Sequence, residues 1–257
     1  MSKSVHLAEI SSDEFARRVQ GNPVVFLPVG ATEQHGPHMG LGVDVILPSA
    51  VCERVALEVK GLVAPAIPYG YKSQARSGGG EAFPGTISLD MNTLTLVVGD
   101  VLRSLGRHGV KRIVVAVGHF ENLWPSIEGI DLALRELRRD GIADVTIMRL
   151  EYWNFVRKET LDQLFPSGFP GTEFEHASLL ETSLMLQVRP ELVDMTKVPT
   201  DGPARFPAYD RYPDASGYVP PSGVLAHAEM SSAEKGDLLM RDHVEMIVKA
   251  IREAFSE

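Results

Sequence analysis

Val24-Val25-Phe26-Leu27-Pro28-Val29 is a six-residue apolar run, and Gly30-Ala31-Thr32-Glu33-Gln34-His35-Gly36-Pro37-His38-Met39-Gly40-Leu41-Gly42-Val43-Asp44 follows it directly. The run is too short and too β-branched for a surface helix, so it reads as a strand buried on both faces. The stretch after it puts two acids and two imidazoles into a glycine-rich loop at the strand's carboxyl end. In an open α/β sheet that is where the ligand crevice forms. Glu33 and His35 are two residues apart, which in extended chain places both side chains on one side. Asp44 can return to the same point after the turns allowed by Gly36, Gly40 and Gly42.

Outward from this stretch, three more short apolar runs read as buried strands: Leu62–Ile67, Arg112–Val117 and Val145–Leu150. Between and around them lie segments with helical spacing. These are Ser12–Val19, Pro48–Val59, Asn92–Arg107, Trp124–Arg139, Ser178–Val188 and Ala233–Phe255, the last opened by the capping box Ser231-x-x-Glu234. Strand alternating with helix predicts βαβ units around a parallel sheet. No repeat or shift in composition divides the chain, so residues 1–257 read as one domain. Pro199–Gly223 breaks the pattern with six prolines and three tyrosines; it reads either as a solvent loop or as a subunit contact or active-site wall.

Composition narrows the function. Of 257 residues, 44% are hydrophobic and 23% charged, ordinary for a globular chain with a sizeable core. Acids outnumber bases 34 to 25, giving a formal charge of −9. That argues against nucleic acid and against an anionic membrane as partners. One cysteine, Cys52, excludes an internal disulfide framework and a thiolate metal cluster; it falls in a helical apolar pattern and reads as a packing residue. Nothing approaches a membrane-spanning run or a secretory leader, so the expectation is a cytoplasmic protein.

A second cluster, Gly118-His119-Phe120-Glu121-Asn122, follows the third strand. His119 and Glu121 repeat the two-residue spacing with acid and base exchanged. With Glu33, His35 and Asp44 they make five imidazole and carboxylate donors, which suit Zn or Mn. Five are too many for one catalytic zinc, which keeps an open position. They suit two ions if Asp44 bridges, and such a pair can hold a hydroxide and polarise a carbonyl. His38 reads either as a donor that orients a ligand or as an ordinary loop histidine. Gly78–Gly80 lacks the Lys-Ser/Thr ending of a phosphate loop, which excludes nucleotide binding of that kind.

These motifs resemble the two signatures of the creatininase (creatinine amidohydrolase) family. The likeness extends through Tyr69-Gly70-Tyr71-Lys72-Ser73, Ser77-Gly78-Gly79-Gly80, Phe83-Pro84-Gly85-Thr86, Tyr152-Trp153, Glu175-His176 and Glu181-Thr182-Ser183-Leu184-Met185, over almost the whole chain. The resemblance implies a Rossmann-like three-layer α/β/α sandwich with a mostly parallel sheet, and two Zn or Mn ions per subunit. Glu33, Asp44 and His119 would bind one ion, and His35, Asp44 and Glu121 the other. His176 would transfer protons with Glu175 beside it, a carboxylate expected to raise its pKa. Read from its surroundings alone, His176 is a surface histidine. Trp153 would pack on the substrate ring, although by position it also fits a core, and Ser77, Gly78, Phe120, Thr172 and Glu173 would line the pocket. The implied reaction opens a small cyclic amide by hydrolysis, with creatinine to creatine the first candidate, in a homohexamer. Thr172 stands where creatininase members carry a second tryptophan, and Phe120 where they carry tyrosine. The alternatives are a family hydrolase acting on a formamide or a cyclic diketone, and a non-catalytic metal-binding accessory protein.

Overall fold

The first strand, β1 (Val24–Val29), is buried at every residue, as its unbroken apolar sequence requires. In this computed structural model, which describes residues 4–74, 76–78, 80–212 and 217–255, it lies inside a four-stranded parallel sheet. Gly79 and Pro213 fall outside the described residues. The other strands are β2 (Leu62–Val63), β3 (Arg112–Val117) and β4 (Thr146–Glu151), in the order β2-β1-β3-β4. The register pairs Val24 with Arg112 and Val29 with Val117, so the ends of β1 and β3 lie level.

Helices cover both faces. Val25, Leu27 and Val29, with Ile113, Val115 and Val117, point to α3 (Met91–Arg107) and α4 (Leu123–Arg139). Val24 and Phe26, with Val114 and Ala116, point to α2 (Val43–Val59), α6 (Leu179–Val188) and α7 (Ala233–Ala254). The two-residue alternation of strand side chains thus divides the core into two, and the result is the three-layer α/β/α sandwich. On the first face α1 (Ser12–Val19) adds Phe15 and Val19, and Ser11 caps it by accepting from Glu14 N. Cys52 is buried in α2, and burial pushes its thiol pKa up. No helix among the described residues is long and apolar enough to cross a membrane.

Several boundaries differ from the sequence reading. The expected strand Leu62–Ile67 keeps ladder form only over Leu62–Val63, because after Ala64 N donates to the Phe26 carbonyl an extra residue bulges the edge. The chain rejoins β1 where Ile67 N donates to the Pro28 carbonyl at 3.0 Å. Helix α2 begins at Val43 rather than Pro48, so Pro48 sits inside it. Its missing N–H leaves the Asp44 carbonyl without its usual helical donor. Ser232, not Ser231, caps α7, accepting from Lys235 N. Helix α5 (Lys158–Leu164) has no clear signal in sequence; Asp242 of α7 accepts from Arg157 N at its start.

The sheet order turns at β1, with β2 on one side and β3 on the other, which opens a crevice at their carboxyl ends. The first turn of α2 enters it. A Cβ added to Gly30 would lie 2.3 Å from the Asp44 carbonyl oxygen, and one added to Gly118 2.2 Å from it. Only glycine at both strand ends lets Asp44 come so close.

Candidate metal centre

Asp44 is the hub of the crevice. Its Oδ1 lies 3.1 Å from His35 Nε2 and its Oδ2 3.1 Å from His119 Nδ1. His119 Nδ1 also lies 3.2 Å from Glu33 Oε2. All four side chains are at most 5% exposed. The local chain explains the aim of each. His35 Nδ1 donates to the Glu33 carbonyl at 3.2 Å, turning Nε2 inward. On the other ring, His119 Nε2 donates to the Tyr71 carbonyl at 2.8 Å, turning Nδ1 inward. Asn122 joins the strand ends: its Nδ2 donates to the Val29 and Gly30 carbonyls, and its Oδ1 accepts from Tyr71 N.

Ligand atoms gather in three groups: Glu33–Asp44–His119, His35–Asp44–Glu181 and Glu33–His35–His176. The first is the expected trio. In the second the third member is Glu181 of α6, with Oε2 3.6 Å from His35 Nε2; Glu121, the other expected donor, lines the same cavity. Glu121 Oε1 accepts from Ser77 Oγ and from Gln74 N, and its Oε2 lies 3.3 Å from His119 Nε2.

The electrostatics fit bound cations. Burial opposes charge on His35, yet Asp44 and Glu181 raise its pKa to about 10. Against the same burial, the neighbouring carboxylates lift His119 well above its usual value. Burial also works against ionising Glu33 and Asp44, yet the imidazoles hold both below the usual carboxylate range. The cavity thus demands positive charge. His35 Nε2 and Asp44 Oδ2 are buried with no hydrogen-bond partner, an arrangement that costs about 1–3 kcal/mol per group unless something fills it. Imidazole and carboxylate donors around a shared aspartate fit two Zn or Mn ions.

His176 stands beside the cluster, its ring 4.4 Å from that of His35 and its Nδ1 3.8 Å from Glu33 Oε2. The two N–H donors of Gln34 Nε2 go to the Gly78 and Gly223 carbonyls. His176 Nε2 therefore donates to the Gln34 carbonyl at 3.0 Å, and in the neutral ring Nδ1 faces the cluster bare. The expected rise in its pKa is not what the structure gives. Burial dominates the nearby acids and lowers it to about 4. Nor is it a surface residue, since its side chain is 13% exposed. Glu175 Oε2 accepts from Leu180 N at the start of α6, and burial raises that carboxyl to about 8. Ala177, between the His176 site and α6, has φ +57°, a strained value for alanine, and its N–H donates to Glu181 Oε2 at 2.6 Å. His38 is buried and its Nε2 donates to Thr182 Oγ1 at 3.0 Å, so it braces the residue after Glu181.

A cavity of about 90 Å³ opens onto the cluster. The residues expected there, Ser77, Gly78, Phe120, Trp153, Thr172 and Glu173, all line it, as do Tyr152 and Leu180, which sequence reasoning did not place there. A Cβ on Gly78 would lie 2.6 Å from Glu33 Oε1 and 2.7 Å from the His176 ring, so its backbone forms one wall.

A parallel α/β sandwich with buried carboxylates and imidazoles around one aspartate at its switch point defines a metal-dependent hydrolase of the α/β class. Residues 8–251 match the family described as creatinine amidohydrolase. Creatinine amidohydrolase of Pseudomonas putida is 51% identical over 257 residues, spanning 99% of each chain. A crystal structure of creatinine amidohydrolase (creatininase) superposes with a TM-score of 0.97 at 49% identity, covering 100% of both chains. A variant creatininase complexed with creatine gives 0.96 at 49% identity, covering 99% of this chain and 100% of that one. Solved creatininases include a Zn–Zn form and a Mn form. The chain belongs to the creatininase family. It is an enzyme, a hydrolase of carbon–nitrogen bonds.

Proposed function

We propose that this protein hydrolyses the ring amide of creatinine to give creatine, at a binuclear centre beside His176. The observation that carries this reading is Asp44, shared by Glu33–Asp44–His119 and His35–Asp44–Glu181 beneath one small cavity. Identity of 51% with the Pseudomonas putida creatinine amidohydrolase supports the substrate. Glu33, Asp44 and His119 would hold one ion, and His35 and Asp44, with Glu181 or Glu121, the other. Such ions, when bound, would supply Lewis-acid chemistry, lowering the pKa of water and polarising a carbonyl.

The remaining work falls to side chains. His176 Nδ1, bare and facing Glu33, takes the proton released as water adds to the carbonyl carbon. It returns that proton to the ring nitrogen as the C–N bond breaks. Glu175 holds the start of α6, and with it Glu181, in place. Ser77 and Gln74 N fix Glu121, which in turn positions His119. Trp153 and Tyr152, with ring centroids 5.3 Å apart, form the apolar wall against which a planar ring packs. Phe120 and Glu173 stand at the mouth. We also propose that residues 1–257 work as one cytoplasmic hydrolase unit and assemble as a homohexamer. Leu96, Trp124 and Ile127 on α3 and α4 are exposed apolar side chains that contact between copies would cover.

The metal-loaded protein is incubated with creatinine and creatine is quantified by chromatography, with Asp44→Asn as control. Turnover that the control lacks supports the proposal. Thr172 and Phe120 favour one second reading. Losing an aromatic stacking partner is worth about 0.5–1.5 kcal/mol, so a different small cyclic amide would be the substrate if creatinine is not opened.

A further inference from the structure

The two loops at the mouth of the cavity are tied to a third segment that does not itself line it. Phe206 stacks on Phe174, with ring centroids 5.6 Å apart and planes 16° from parallel. Phe174 closes the turn that carries Thr172 and Glu173. Asp210 Oδ1 accepts from Arg76 Nε at 2.8 Å, and the Pro207 carbonyl accepts from Arg76 Nη1 at 3.1 Å. The Tyr212 hydroxyl donates to Gln74 Oε1 at 3.1 Å. Arg76 and its successors Ser77 and Gly78 form the opposite lip. The segment is rooted at the site as well: Ala204 N donates to the Leu225 carbonyl, and Leu225 N to the His176 carbonyl.

We propose that residues 204–212 are a clasp across the mouth, and that Phe206, Asp210 and Tyr212 are positioning residues that set how closely a small ring is covered. The inference rests on the reading above only in taking this cavity as the substrate's place. Thr172 is too small to cover a ring as a tryptophan at that position would. Its loop is instead anchored two residues later, through Phe174 onto Phe206. The Arg76–Asp210 pair is 41% and 37% exposed at its side chains, so alone it holds little. The stack on one lip and three polar ties on the other act together through one short chain.

The test uses full-length, metal-loaded Phe206→Ala, Asp210→Asn and Tyr212→Phe, with Phe206→Tyr as the conservative replacement. Two quantities are read: KM and kcat for creatinine, and the rate at which 1,10-phenanthroline strips the bound metal. Phe206→Ala should raise KM about 3- to 10-fold, the worth of one aromatic stack. It should speed metal loss by a similar factor, leave kcat and the initial metal content unchanged, and be rescued by Phe206→Tyr. Phe206→Ala combined with Asp210→Asn should change KM by less than the product of the single effects, because a released clasp has nothing more to lose. Wild-type KM and metal-loss rate in folded Phe206→Ala would overturn the clasp, and so would effects that multiply independently. If Phe206→Ala does not fold, Asp210→Asn and Tyr212→Phe decide by the same readouts. If the wild-type protein does not open creatinine, the proposed substrate falls while metal loss still decides the clasp.

Discussion

Replacing Gly118 with alanine tests whether backbone proximity at the sheet's switch point builds the metal centre. The added Cβ would sit 2.2 Å from the Asp44 carbonyl oxygen and 2.4 Å from Pro48 Cγ. The first contact must open to at least 3.0 Å, so β3 and the first turn of α2 separate by about 0.8 Å. The obstacle is backbone, with no flexible side-chain end to swing aside. Crowding of this kind typically costs about 1–3 kcal/mol of stability. The larger effect falls on the site, because the displaced residue is the one both trios share. A misplacement of about 1 Å at reacting groups is worth on the order of 10²-fold in rate. Gly118→Ala should therefore lose about two orders of magnitude in kcat/KM and bind less than its full metal complement, measured by elemental analysis of the dialysed protein. Gly40→Ala is the control, since its nearest contact would be Leu192 Cβ at 4.0 Å. Full metal content and wild-type turnover in Gly118→Ala would refute the reasoning.

Other substitutions separate the roles. Glu181→Gln should lose one ion and Asp44→Asn both, read as metal per subunit, because Asp44 belongs to both trios and Glu181 to one. His176→Ala should keep its metals and lose about 10²- to 10⁴-fold in kcat, the usual worth of a proton-transferring group; an unchanged kcat would remove it from the chemistry. Glu175 bears on stability against pH. Its folded pKa, about 8, lies above the ordinary 4.5, so the folded state holds a proton the unfolded chain releases, and stability falls as pH rises between those values. Glu175→Gln should flatten that fall, seen as a smaller difference in melting temperature between pH 5 and pH 9.

The sheet was legible because its inner strands are apolar on both faces and end in glycine-rich loops. Glu33, His35 and His119 could be read as candidates for the same reason, each following a strand end within a few residues; Asp44 enters from the first turn of α2. Leu62–Ile67 was overread because the apolar count does not reveal the extra residue between Ala64 and Ile67 that breaks the register with β1. That Glu181 joins His35 and Asp44 was not legible, because its signal is a contact across the sheet's helical layer. Nothing in Glu181-Thr182-Ser183 alone distinguishes an inward carboxylate on a buried helix. The tautomer and lowered pKa of His176 depend on Gln34 and on burial, neither of which sequence spacing records. The tie between Phe174 and Phe206 belongs to the same kind, since it joins two irregular segments.

The grouped ligands are spread along the chain from Glu33 to Glu181, through β1, α2, β3 and α6. No half of the molecule contains a trio sharing Asp44 with Glu181 until the crossovers have closed, so an incompletely folded chain has no complete site to offer. Metal ions that bind only the finished arrangement shift the folding equilibrium toward it by mass action, by about 2.7 kcal/mol for a free ion at a hundred times its dissociation constant. The supply of metal during synthesis would then govern how much folded protein accumulates, as well as how active each molecule is.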